Sequence, residues 1–78
     1  PNPPAARRIK LSLDRASRLL GMAVTAENAE RYLTALGFLV EPGTPWTVTA
    51  PTWRPDVLRE EDVIEELGRV QGYDQIPE

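Results

Sequence analysis

The sequence has no cysteine and no histidine. Without cysteine there can be no disulfide framework and no thiolate metal site, an absence consistent with a reducing compartment. Without histidine the usual general base and the commonest transition-metal ligand are missing. A self-contained Ser–His, Cys–His or zinc enzyme is thereby excluded. Apolar runs never exceed a few residues, so nothing in the chain reads as a membrane span. Pro1-Asn2-Pro3-Pro4 offers neither the charged nor the apolar region of a signal peptide. No phosphate loop, dinucleotide fingerprint or nucleophile–base pair is present. What remains is 78 residues, 41% hydrophobic and 27% charged, a chain with room for one core and not two. It opens without Met and stops at Pro77-Glu78, which suggests a module of something longer.

The net charge of -3 is unevenly spread. Residues 1–20 carry Arg7, Arg8, Lys10, Arg15 and Arg18 against Asp14, a balance of +4, whereas residues 56–78 carry -6. An acidic end is a poor surface for phosphates, because nucleic-acid affinity rests largely on cations. Two solvated faces of opposite sign account for the asymmetry.

Residues 1–7 are Pro- and Ala-rich and read as a linker, with the domain spanning 8–78. Ile9, Leu11 and Leu13 alternate with polar residues at the period of a half-buried strand. Ser12 is a plausible N-cap for a short helix bearing Leu13, Ala16, Leu19 and Leu20, stopped by Gly21. Thr25 is the next N-cap, and Ala29, Tyr32, Leu33 and Leu36 follow at helical spacing up to Gly37. Phe38-Leu39-Val40, the turn Pro42–Pro45 and Trp46–Ala50 predict a β-hairpin. Two prolines keep Pro51–Asp56 irregular. A last helix starts between Val57 and Glu61, carries Val63, Ile64, Leu67 and Val70, and ends near Gly72. Trp53 reads as a hydrophobic plug for the loop, Arg54 as a partner for a carboxylate of the last helix, and Tyr73-Asp74 as an anchor for the chain's exit.

The order β-α-α-β-β-α predicts an α+β domain with a three-stranded antiparallel sheet, similar to a winged helix. In a winged helix the second helix would read the groove. Its exposed side, Glu27, Glu30, Arg31 and Thr34, lacks the Arg/Lys/Asn/Gln set that reads base edges, so specific duplex DNA binding is not expected. A free-standing winged-helix nucleic-acid binder, using the basic 7–18 segment, is the competing function.

The segment Asp56–Glu66 is the informative one. Asp62 lies three residues from Glu65 and four from Glu66, so their carboxylates are neighbours on a helix, and Asp56 enters from the loop. Like charges so placed need an offset: solvent and salt, nearby arginines, or a hard cation such as magnesium, which prefers oxygen ligands. A solvated acidic face favoured by the helix dipole also fits.

The string Val48-Thr49-Ala50-Pro51-Thr52-Trp53-Arg54-Pro55-Asp56, then Glu60-Glu61-Asp62-Val63-Ile64-Glu65-Glu66, Arg69-Val70 and Gly72-Tyr73-Asp74-Gln75-Ile76-Pro77 resembles a known family. It looks like the B5 domain of the bacterial phenylalanyl-tRNA synthetase β subunit. Leu19-Leu20-Gly21 and Leu36-Gly37-Phe38 match its other landmarks, while Thr52, Gly68 and Gln71 depart from the pattern. The resemblance implies a cytoplasmic α2β2 enzyme that uses ATP to attach phenylalanine to tRNA(Phe). It implies catalysis in the α subunit, editing in another module of the β subunit, and no catalytic site in this chain. It also implies one Mg2+ site, shared with the α subunit, to which Asp56, Asp62, Glu65 and Glu66 contribute. The domain would then be a structural and docking element.

Overall fold

The computed structural model describes residues 7–74. Residues 1–6 of the expected linker, and Gln75, Ile76 and Pro77 of the terminal motif, lie outside the described residues. Arg7 already belongs to the first strand, β1 (Arg7–Leu11), which alternates as expected: Ile9 and Leu11 are buried, Arg8 and Lys10 exposed. Ser12 then turns the chain. Its Oγ accepts the Arg15 N–H at 3.2 Å and caps α1 (Leu13–Leu20). Gly21 ends that helix in the left-handed conformation, φ 68°, which a residue without Cβ adopts at little cost.

Thr25 caps α2 (Ala26–Ala35) in the same way, its Oγ1 accepting the Asn28 N–H at 3.1 Å. Each such cap is worth about 1 kcal/mol. Then come the hairpin strands β2 (Leu39–Glu41) and β3 (Trp46–Ala50), and α3 (Glu60–Asp74). All strands are antiparallel in the order β1-β3-β2. The expected α+β arrangement, β-α-α-β-β-α, is the one observed.

Register places Ile9, Val48 and Val40 side by side across the sheet. That face meets the helices, with Leu11, Leu33, Phe38, Val48, Val63 and Leu67 buried together. α3 is the common partner, touching α1, α2 and β1. Its Gly68 lets α1 approach closely: a β-carbon there would stand 2.4 Å from Leu20 Cδ2.

Two expectations need correction. α3 does not end near Gly72 but continues to Asp74, because Asp74 Oδ2 accepts the Tyr32 hydroxyl at 2.7 Å and draws the final turn onto α2. Of the expected exit anchor, Asp74 is therefore the working half and Tyr73 is exposed. Trp53 is not a plug either; it is 66% exposed. Successive turns, Arg54 N–H to Pro51 O and Val57 N–H to Arg54 O, carry the indole outward and bring Val57 into the core instead.

Among the described residues no helix is long and apolar enough to cross a membrane.

Candidate functional site

The site is built where the irregular loop 51–59 meets the start of α3. With Glu60 as the first helical residue, Asp62 occupies the third position. Its Oδ2 reaches back to the backbone N–H of Leu58 at 2.9 Å and of Arg59 at 3.0 Å. This is the acidic half of a capping box, satisfying donors that no helical carbonyl can reach. Those bonds, that from Leu58 first, hold the Asp62 carboxyl below its ordinary range. Sequence reading places Asp62 among the carboxylates implied for magnesium and misses this cap, although an acid at the third helical position is a recognisable signal.

Glu60 has a second structural task that the sequence does not disclose. Its Oε2 accepts the backbone N–H of Ser12 at 2.7 Å, and its Oε1 pairs with Arg15. Arg15, one of the five cations of the basic segment, is thereby tied to α3 and its guanidinium is held above its ordinary value, chiefly by Glu60.

At the centre of the acidic segment stands Arg54. Its Nε and Nη2 donate to both oxygens of Asp56 at 3.0 and 2.9 Å, and its Nη1 pairs with Glu66 Oε1 at 3.1 Å. Arg69 Nη2 reaches the same Glu66 oxygen at 3.1 Å. Glu66 is thus buried, its side chain 12% exposed, between two guanidinium groups. The expected pairing of Arg54 with a carboxylate of the last helix is observed. The fork on Asp56 keeps that carboxyl below its ordinary range, and Asp56 followed by Glu66 holds Arg54 above its own.

The four carboxylates implied as magnesium ligands are therefore placed differently from one another. Asp56 is exposed and held by Arg54, and Asp62 is half-buried and turned to backbone donors. Glu66 is buried under Arg54 and Arg69. Glu65 is exposed, with no hydrogen-bond or ion-pair partner among the described residues. Hard oxygen donors suit magnesium chemically. The arrangement does not: among the described residues no three His, Cys, Asp or Glu side chains converge as a metal requires.

Residues 9–73 match the family described as the tRNA synthetase B5 domain, and the chain belongs to that family. Its curated relatives are phenylalanine–tRNA ligase β subunits. That of Salinibacter ruber is 52% identical over all of this chain. The β subunit of Novosphingobium aromaticivorans is 46% identical over 96% of the chain, and that of Xanthomonas campestris 45% over 95%. The chain spans only about a tenth of the length of these relatives: 10% of the Salinibacter and Xanthomonas proteins and 9% of the Novosphingobium protein.

Proposed function

We propose that this chain is a docking module of a phenylalanine–tRNA ligase β subunit. The whole protein would be a cytoplasmic, ATP-dependent ligase charging tRNA(Phe) as an α2β2 assembly, and this domain would meet the α subunit without catalysing a step itself. The observation that carries the reading is the family match over residues 9–73, within which the whole segment Asp56–Glu66 lies. Asp56, Asp62, Glu65 and Glu66 would be the carboxylates offered to a Mg2+ shared with the α subunit, in an arrangement other than the one seen here.

The basic segment gives no comparable support to a free-standing nucleic-acid binder. Arg15 is bound to Glu60, Arg8 approaches Glu41 at 3.5 Å, and Arg31 on the outer face of α2 approaches Asp74 at 3.4 Å. Cations engaged in this way are less available to phosphates.

The test is association of the β subunit carrying this chain with its α subunit, measured with and without Mg2+. Glu65→Gln is the variant of choice, since Glu65 is exposed and holds no other group in place. Association strengthened by Mg2+ in the wild type and insensitive to it in the variant supports the reading. Identical affinity in all four conditions overturns the shared cation.

A further inference from the structure

We propose that the last turn of α3, from Arg69 to Tyr73, is where the α subunit seats an acidic side chain carried on an apolar segment. The inference rests on the docking reading for the partner, and on the charges of this edge for the partner's chemistry.

The charged groups here form a ladder of alternating sign. Asp56 meets Arg54 at 3.0 and 2.9 Å, Arg54 meets Glu66 at 3.1 Å, and Glu66 meets Arg69 at 3.1 Å. Arg54 thus stands between two carboxylates, and Glu66 between two guanidinium groups. Arg69 has only one partner, a Glu66 oxygen that it shares with Arg54. Its remaining donors have none among the described residues. Glu65, one turn earlier and exposed, makes no ion pair with it. A guanidinium with open donors matches a carboxylate in both shape and charge. The missing member of the ladder is an acid.

The surroundings of Arg69 are apolar. Val70 packs against the core, and Tyr73, one turn after Arg69, is 80% exposed. The three residues line an open cleft of about 270 Å3, below the roughly 300–1,000 Å3 of small-molecule pockets. It suits a side chain of another protein. Tyrosine and arginine are among the residue types that dominate interface energies. With its side chain 61% exposed, Arg69 is surrounded by water in this chain. An apolar surface that covered it while bringing a carboxylate would strengthen the pairing, because the local dielectric falls. A nucleic-acid backbone fits less well: its successive phosphates would meet the exposed carboxylates of Glu65 and Asp74 on either side.

The experiment is amide hydrogen exchange of the β subunit carrying this chain, with and without its α subunit, together with the association constants of variants. The amides of Arg69–Asp74 should exchange more slowly once the α subunit is added. Arg69→Glu should weaken association at least about tenfold, a change of ~1.4 kcal/mol, and Tyr73→Ala several-fold. Lys10→Glu, a charge reversal on the outer face of the sheet, should leave it unchanged. Added salt should weaken the wild type more than Arg69→Glu.

Should Arg69→Glu not fold, Tyr73→Ala decides, since the exposed Tyr73 holds no other group in place. Wild-type affinity in Tyr73→Ala, equal losses in Arg69→Glu and Lys10→Glu, or slowing confined to other parts of the domain overturns this proposal and leaves the docking reading standing. No slowing anywhere in residues 7–74 overturns the docking reading as well. Slowing of Arg69–Asp74 by tRNA without the α subunit would make the occupant a nucleic acid, and overturns the proposal.

Discussion

The indole of Trp53 rests on Gly37: a β-carbon at position 37 would stand 2.9 Å from Trp53 Cζ2 and 3.4 Å from Cη2. Gly37 also has φ 93°, where side chains are strained. The glycine thus serves the turn into β2 and leaves a bare backbone surface for one edge of a ring that is otherwise in solvent.

Trp53→Ala is therefore expected to cost about 1–2 kcal/mol, from the third of its surface that is covered, rather than the ~3–5 kcal/mol typical of a buried aromatic. In a Trp46→Phe background, the remaining fluorescence should be red-shifted and readily quenched by iodide. A blue-shifted, protected signal would show that the indole is inside after all. Gly37→Ala should destabilise by more than Trp53→Ala, because it meets both the positive φ and the ring.

Val57→Ala should cost about 2 kcal/mol, as removal of buried methyl groups does, and so match or exceed the loss from the much larger Trp53. Chemical denaturation of the two variants in parallel checks the order. If Val57→Ala melts with the wild type, the loop is not anchored through this side chain.

Gln71 is fully buried in α3, its Nε2 donating to Ala23 O at 2.7 Å while its Oε1 has no partner among the described residues. An unmade buried hydrogen bond costs about 1–3 kcal/mol. Gln71→Leu removes the unpaired Oε1 together with the donor to Ala23 O, and because Ala23 is exposed its carbonyl can turn to water. Gln71→Leu should therefore lie within about 1 kcal/mol of the wild type, and Gln71→Ala, which leaves a cavity, should be clearly less stable. A severe loss in Gln71→Leu would mean that the bond to Ala23 dominates.

Acid should unfold the domain through a few identifiable carboxyls. Asp56, Glu61 and Asp62 are all held below their ordinary range in the folded chain. The stability they contribute is complete above their unfolded values, about 4, and is lost as pH falls through the folded ones. With no histidine, no side chain at its ordinary value titrates between about pH 5 and 8. The melting temperature should be flat across that range and fall below about pH 4. Asp62→Asn should lower it at neutral pH and flatten the acid limb. An unchanged acid limb in that variant would remove Asp62 from the account.

What the sequence disclosed depended on how local the physics was. Ser12, Thr25 and Gly21 are legible because a cap or a left-handed stop acts within four residues of itself. The pairing of Arg54 with the last helix is legible because the acids of the chain are concentrated in the segment that follows it, Asp56–Glu66. Glu60 is not, since its partners Ser12 and Arg15 lie far back in the chain and only the tertiary fold brings them near. The end of α3 is misjudged for the same reason: Gly72 argues for a stop, but Tyr32 holds Asp74 from another helix. Trp53 misleads because hydrophobicity says that a residue gains from burial, while backbone turns decide which residue of a loop receives it.

The sheet order β1-β3-β2 also bears on how the chain folds. Among the described residues β3 is the only neighbour that either other strand has, so this sheet does not exist until residues 46–50 are in place. The hairpin then closes over a short turn, whereas β1 must return across a long separation, Lys10 and Thr47 being 37 residues apart. Closing that loop carries a larger entropic cost than closing the hairpin. The hairpin and its contacts with α2 are therefore expected to form first, with β1 joining an edge already made, an order that φ-values in the three strands would check. Changes in β1 should act mainly on the rate of unfolding, and changes in β2 or β3 on the rate of folding.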